Sequence, residues 1–173
     1  MQEKEEYFDA RAKQNYHGRT VEHIVCMSKQ LNLVDEIDPR PDTPDFYGSL
    51  PIYYSLQQDD LPMLKKQFRK GSGYFGLRNY KFETVFHIAG KNNALNSLKF
   101  ICGRAVWIDQ MLKRDYEGNT PLHSAAKAGS YEVLLWFLQN TTPQFSQIQN
   151  DFGFTPSQAA SEKASIYAAH PEY

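Results

Sequence analysis

The segment Asp115-Tyr-Glu-Gly-Asn-Thr-Pro-Leu-His-Ser-Ala-Ala-Lys-Ala-Gly129 joins the residues of a turn to those of a helix start. Asp, Asn and Gly favour tight turns, because the first two bond their own turn backbone and glycine adopts positive φ freely. Thr120 followed by Pro121 is typical of a helix N-cap and a first helical residue. The segment therefore predicts a turn that leads directly into a short helix ending near Gly129.

The same arrangement recurs along the chain at intervals of 30 to 36 residues. With Thr120 taken as position 0, the equivalent residues of the other units are Thr20, Leu50, Thr84 and Thr155. A repeat of this length is typical of stacked units that bury their apolar faces against their neighbours. The 173 residues hold five such units, and arrays of this kind usually serve as binding surfaces.

Three further positions keep their residue type from unit to unit. Position −5 is always Asn or Asp, position −2 is usually glycine, and position +3 is most often histidine. In chain order these sets are Asn15, Asp45, Asn79, Asp115 and Asn150; Gly18, Gly48, Phe82, Gly118 and Gly153; and His23, Tyr53, His87, His123 and Gln158. The first set is predicted to initiate the turns. The histidine rings are expected to bond turn backbone between neighbouring units.

A second helix is predicted after the first in each unit. Position +9 carries Asp59, Asn93 or Gly129 in the middle units, where a left-handed helix end is expected. The apolar residues that follow have the offsets of one face of a 3.6-residue helix. They are Leu61, Met63, Leu64 and Phe68; Leu95, Leu98, Phe100 and Ile101; and Tyr131, Val133, Leu134, Phe137 and Leu138.

This pattern resembles the ankyrin repeat, most clearly in Gly118-Asn-Thr-Pro-Leu-His-Ser-Ala-Ala126 of the fourth unit. The resemblance implies an all-α fold, an ankyrin-type repeat solenoid of about five helix–turn–helix units with β-turn or hairpin loops. A charged N-terminal tail or helix over residues 1–14 is expected to precede a single domain over residues 15–173. Its units are predicted near residues 15–44, 45–78, 79–114, 115–149 and 150–173.

The two end units are expected to close the array with polar faces, because a solenoid must cover its apolar ends. The residues suited to this role are Glu22, Ser28, Lys29 and Gln30 in the first unit, and Ser161, Glu162, Lys163 and Ser165 in the last. Glu22 stands where the ankyrin family carries leucine.

Composition limits the partners and the compartment. The formal net charge of −1 argues against a broad surface for nucleic acid or anionic membranes. No apolar run approaches the ~20 residues that span a bilayer, and the start lacks the layout of a signal peptide. Cys26 and Cys102 are expected to be unpaired, since a helical layer between them exceeds bridging range. We therefore expect a cytoplasmic protein, or one in a host cytosol if it is a microbial or viral effector.

Three motifs that could carry chemistry are discounted. Residues 71–76 match GxGxxG, but a helix precedes them and a turn follows, whereas a dinucleotide site needs a strand before and a helix after. The histidines at +3 lie in different units and lack the spacing of zinc ligands. The basic run at residues 65–70 is more typical of a solvated helix face than of a nuclear address. No catalytic, cofactor or metal site is predicted, and the chain is not expected to be an enzyme.

Position −4 is aromatic in four units, and we call Tyr16, Phe46, Tyr80 and Tyr116 the aromatic ladder. In the ankyrin family this position lies at the turn tip, is usually polar, and lines a concave groove. The rings either pack on neighbouring turns and stiffen the array, or stand exposed as anchors for a partner. Exposure is favoured, because a residue at a turn tip is hard to bury.

The resemblance thus implies a partner-binding surface on the concave face of turn tips and first helices. Its predicted residues are Tyr16, Phe46, Tyr47, Gln57, Gln58, Tyr80, Lys81, Glu83, Lys91, Tyr116, Glu117, Asn119, Lys127, Phe152 and Phe154. The leading interpretation is a monomeric, non-catalytic adaptor or scaffold that binds another protein. One alternative is a regulatory or effector protein that inhibits or targets an enzyme. A less favoured one is a small nucleotide-binding enzyme that uses residues 71–76.

Overall fold

The computed structural model describes residues 14–35, 43–70, 73–103 and 107–161, and within these ranges every regular element is helical. The α-helices are α1 (Val21–Ser28), α2 (Pro51–Gln57), α3 (Leu61–Lys70), α4 (Val85–Lys91), α5 (Leu95–Cys102), α6 (Pro121–Ala128), α7 (Tyr131–Asn140) and α8, described over residues 156–161. Short 3₁₀ helices occupy Leu31–Asp35, Gly73–Gly76, Ile108–Leu112 and Pro143–Gln147.

The helices stack in two rows. Helices α1, α2, α4 and α6 pack side by side in chain order, and α3, α5 and α7 form a second row behind them. The predicted repeat solenoid is therefore confirmed. In the first unit, however, the 3₁₀ helix Leu31–Asp35 takes the place of the second α-helix and packs against α1 and α3. The polar residues expected to cap the last unit after Ser161 lie outside the described residues, as does most of the predicted tail.

The core runs continuously from the second unit to the fourth, with Tyr53, Phe86 and Phe137 among its largest fully buried side chains. A smaller cluster joins the first unit to the second. Two residues assigned to the apolar stripe of α7 are instead exposed, Tyr131 and Leu138. The buried face of α7 follows Val133 and Phe137, which are one turn apart, and the two exposed residues lie off that face.

Each turn is held by its Asn or Asp residue, as predicted. The Oδ1 atom of Asp115 accepts hydrogen bonds from the backbone N–H groups of Glu117 at 2.9 Å and Asn119 at 2.8 Å. Asn15, Asp45, Asn79 and Asn150 make the same two bonds in their units. All five turns therefore share one backbone shape, which places equivalent side chains in register.

The histidines at position +3 cap one helix and bind the next turn. Nδ1 of His87 accepts the backbone N–H of Thr84 at 3.1 Å, and Nε2 lies 3.0 Å from the Asn119 carbonyl oxygen. Because a carbonyl only accepts, Nε2 carries the proton and Nδ1 is the acceptor of a neutral ring. The equivalent inter-unit pairs are His23 with Ser49 and His123 with Phe154.

The two units without histidine each keep half of this arrangement. Tyr53 donates its hydroxyl to the Glu83 carbonyl at 2.9 Å, which preserves the link between units. Gln158 accepts the backbone N–H of Thr155 at 2.9 Å through Oε1, which preserves the helix cap. Position +3 therefore needs an acceptor for its own cap or a donor for the next turn, and neutral histidine supplies both.

Position +9 ends one helix and caps a helix of the following unit. Asp59 has a φ of 47°, and its carboxylate accepts the backbone N–H of Ser97 at 2.8 Å in the first turn of α5. Asn93 has a φ of 52° and accepts the backbone N–H of Val133 in α7 at 3.2 Å. Helix α5 follows Ala94, whose side chain cannot cap, so the preceding unit supplies the missing acceptor.

Replacing Asp59 with alanine should lower the free energy of unfolding by about 2 kcal/mol, because the cap is lost and alanine adopts a positive φ less readily than Asp. Asp59→Gly should also lose the cap but should relieve the backbone strain. Asp59→Asn should retain much of the cap. Urea unfolding of the three variants separates the two contributions. Equal stability of the alanine variant and the wild type would show that the cap contributes nothing.

The first unit keeps three of its four expected cap residues exposed, namely Ser28, Lys29 and Gln30, but Glu22 departs from the expectation. Glu22 is 7% exposed, and within the described residues its Oε2 atom has no hydrogen-bond partner. Val21 and Ile24, by contrast, are exposed. Glu22 occupies position +2, where Ile52, Phe86 and Leu122 are buried. The register of the first helix therefore turns Glu22 inward despite its charge.

Candidate functional site

The turn tips form one continuous edge of the array. The backbone N–H of Phe46 donates to the carbonyl of His17 at 3.0 Å, and that of Tyr116 donates to the carbonyl of Lys81 at 3.0 Å. The fifth turn bonds the fourth in the same way. These bonds join the first turn to the second, and the third to the fourth and fifth, while the second and third turns pack closely at Gly48 and Tyr80. Position −4 of successive units therefore lies along one edge of the molecule.

The aromatic ladder lies on this edge, and its four side chains are between 57 and 86% exposed. Two of the rings also touch the preceding turn. A Cβ atom built on Gly48 would lie 2.5 Å from Cγ of Tyr80, and one built on Gly18 would collide with the ring of Phe46. One side of each of these two rings thus rests over a glycine while the remainder faces solvent, so packing on the neighbouring turn and exposure occur together.

Other aromatic side chains extend the ladder. Tyr47 and Phe152 are each about two-thirds exposed. The His17 ring, which sequence reasoning missed, lies 4.4 Å from that of Tyr16 and 6.4 Å from that of Tyr47, measured between centroids. His17 occupies position −3, directly after the ladder position, and this neighbourhood could have indicated that it belongs to the same surface. Phe154 is only half-buried and adjoins the same strip.

A cavity of about 190 Å³ opens between the third and fourth units, and we call it the lysine cavity. Seven of the predicted residues line it: Lys81, Glu83, Lys91, Tyr116, Glu117, Asn119 and Lys127. Asp115, Ser124 and Ala128 complete its wall and were not among the predicted residues. The structure therefore gathers much of the predicted surface around one depression beside Tyr116.

Two ion pairs line the lysine cavity, one in the third unit and one in the fourth. Nζ of Lys91 lies 3.2 Å from Oε1 of Glu83, and Nζ of Lys127 lies 2.9 Å from Oε2 of Glu117. Both lysines occupy position +7, whereas the acids come from positions −1 and −3. The bond from Lys127 lowers the pKa of the Glu117 carboxyl. The bond to Glu117 raises the pKa of the Tyr116 hydroxyl, 3.0 Å from Oε1.

Gln57 and Gln58 lie outside the lysine cavity, and Asn119 lies deep in its wall. Gln57 is exposed on α2, but Nε2 of the neighbouring Gln58 donates to the carbonyl of Cys26 at 3.2 Å and so ties α2 to the end of α1. Asn119 is only 2% exposed and donates to Oε2 of Glu117 at 2.9 Å. Gln58 and Asn119 therefore hold neighbouring groups in place.

The glycine-rich segment lacks the surroundings of a dinucleotide site. Helix α3 precedes it, residues 73–76 form a 3₁₀ helix, and the next α-helix begins only at Val85. Phe75 packs against Phe68 at 5.6 Å and Phe86 at 6.2 Å between ring centroids, which places this segment against the core.

The two cysteines are free. Burial raises the pKa of Cys26 and of Cys102 to about 12, so both are protonated near neutral pH. Across the described ranges, no group of three His, Cys, Asp or Glu side chains could hold a metal ion. None of the helices in those ranges is long and apolar enough to cross a bilayer.

Stacked turn–helix–helix units with an exposed, in-register turn edge define a helical repeat protein. A family model described as ankyrin repeats (3 copies) matches residues 52–148, more than half of the chain, and the chain belongs to that family. A search of curated proteins gave no match. Ankyrin repeats are generally protein–protein interaction modules and typically non-catalytic.

Proposed function

We propose that this chain is a non-catalytic adaptor that binds a partner protein through its concave face of turn tips and first helices. The observation that carries the proposal is the exposure of four aromatic side chains held in register by the turns. Tyrosine is favoured in interfaces, because its ring offers a large contact area at a low entropy cost. A row of such rings suits an extended segment or a flat patch of the partner.

The rigidity of the edge supports the same proposal. The turns are fixed by their Asn and Asp residues, and the rings of Phe46 and Tyr80 are seated on glycines of the preceding units. Binding therefore requires little ordering of the free protein, and this lowers the entropy cost of association. We also propose a cytoplasmic location, with which the free thiols of Cys26 and Cys102 are compatible.

Changing Tyr80 and Tyr116 together to alanine should weaken partner binding by ~2 kcal/mol or more, which is roughly a thirtyfold rise in Kd. Proteins captured from cytosol by the wild type would be identified by mass spectrometry, purified, and titrated against both forms by calorimetry. Circular dichroism would establish that the variant is folded.

The matched control is Tyr131→Ala, because Tyr131 is 71% exposed on α7, in the other row of helices. It removes the same side chain without touching the turn edge. Binding that survives the ladder change but is lost in the Tyr131 variant would move the site to the second row of helices.

A further inference from the structure

The lysine side chains of the lysine cavity have N–H donors that its acidic side chains do not use. Each ammonium group offers three N–H donors. Lys91 and Lys127 each have one partner, and Lys81 has none among the described residues. Glu117, in contrast, already accepts from Tyr116, Asn119 and Lys127.

In one of the two ion pairs the acid lies deeper than its lysine. The Glu83 side chain is 8% exposed, whereas that of its partner Lys91 is 50% exposed. Oε2 of Glu83 is further held by Nδ2 of Asn79 at 2.6 Å. In the other pair the two side chains are similarly exposed, 28% for Glu117 and 33% for Lys127. Each glutamate therefore positions a lysine whose side chain stays partly exposed to solvent.

We propose that the lysine cavity receives one carboxylate, from an Asp or Glu side chain on an extended segment of the partner protein. The proposal rests on the function proposed above. Lys81, Lys91 and Lys127 bind the carboxylate through charge-assisted hydrogen bonds, beside the ring of Tyr116. Because the ion pairs already position two of the ammonium groups, the binding step orders few side chains.

Charge decides between a carboxylate and a more highly charged anion. The three lysines are balanced by Glu83, Asp115 and Glu117 in the same wall. A site with no net charge attracts a dianionic phosphate weakly, whereas the directed N–H donors suit a singly charged carboxylate. The aromatic ladder on the same edge favours an apolar side chain near the acid in the partner segment.

The probe is a display library of random peptides, about 12 residues long, selected on the immobilised full chain. An enriched peptide and its counterpart with Asp→Asn or Glu→Gln are then titrated by calorimetry. We expect the acidic form to bind roughly tenfold more tightly, with a preference that falls as salt rises.

Lys81→Gln leaves both internal ion pairs intact, so it should reduce the acid preference about threefold without affecting the fold. The triple change K81Q/K91Q/K127Q should abolish the preference. The matched control K65Q/K99Q/K113Q changes three exposed lysines outside the cavity and should leave the preference unchanged.

The failures of the two proposals are distinguishable. Peptides that lose affinity on Tyr80→Ala and Tyr116→Ala, yet show no acid preference, would overturn the carboxylate site and leave the adaptor surface standing. A preference unchanged in the triple lysine variant would also overturn the carboxylate site. Failure of the library to yield any peptide that depends on the ladder or the lysines would overturn both.

Discussion

Replacing Gly48 with alanine should destabilise the protein by about 3 kcal/mol or more. Gly48 has a φ of 75°, a conformation that costs other residues about 1–2 kcal/mol. The added Cβ atom would also lie 2.5 Å from Cγ and 2.6 Å from the backbone nitrogen of Tyr80. A backbone atom cannot rotate away, and the neighbouring Asn79 holds that turn, so the two turns must separate.

Gly129→Ala is the matched control, because Gly129 has a φ of 70° but no atom within 4 Å of its added Cβ. This variant should be destabilised only by the backbone strain of a positive φ, which costs about 1–2 kcal/mol. Urea unfolding of both variants measures the difference, which is the contribution of the close approach between turns. Equal losses in the two variants would mean that the Tyr80 turn can shift freely.

Acidification from pH 7 to pH 5 should lower the free energy of unfolding, because three buried histidines resist protonation in the folded protein. Burial lowers the pKa of His23, His87 and His123 below the ordinary value of 6.5. Below pH 6.5 the unfolded chain therefore takes up protons that the folded chain does not. Stability is fully present above pH 6.5 and falls as the pH approaches the folded pKa, by up to about 1.4 kcal/mol per pH unit for each histidine.

The hydrogen bonds explain why the folded protein resists protonation. A proton on Nδ1 of His87 would face the backbone N–H of Thr84, which now donates to that nitrogen. In the fifth unit, Gln158 accepts the backbone N–H of Thr155 through an amide oxygen that does not titrate. A glutamine at position 87 should therefore keep the same helix cap without a titrating group. The double variant H87Q/H123Q should show a shallower loss of stability between pH 6.5 and 5, measured by urea unfolding. Identical pH dependence of the wild type and the double variant would show that these histidines do not cause the loss of stability at low pH.

Sequence alone predicted the features that recur at fixed spacing within one unit. The turn bonds of Asp115 and its counterparts follow from local chemistry, because an Asn or Asp side chain reaches backbone only two and four residues away. The inter-unit role of His87 followed from its recurrence at one position. Membership of the ankyrin family and the helical solenoid were predicted on the same basis.

Features that depend on contacts across units were missed. Nothing near Asp59 indicates that it caps α5, since its partner Ser97 lies in the next unit. Glu22 looked like a solvent-facing cap residue because its charge was weighed above its register. The ion pairs lie within single units but were also missed, because Glu83 and Glu117 reach equivalent lysines from different positions of the turn.

Of the predicted surface, seven residues meet in the lysine cavity because adjacent units stack in register. The repeat pattern does not indicate how deeply a side chain is buried, so it did not distinguish the buried Asn119 from the exposed Lys91. Depth depends on how closely neighbouring first helices approach, and that distance is set by packing of the whole array. The assignment of these residues to partner binding remains a prediction.

The packing of an aromatic ring against the glycine of the preceding unit has a consequence for protein engineering. Gly48 and Tyr80 belong to different units, so exchanging a whole unit between arrays would separate the glycine from the ring that needs it. Asp59 and its partner Ser97 would be separated in the same way. Each pair is separated by about one repeat, so a segment of one repeat length cannot hold both members, wherever its ends are placed. A transplanted segment should therefore contain at least two consecutive units, and chimaeras with longer donor segments should part fewer of the matched pairs.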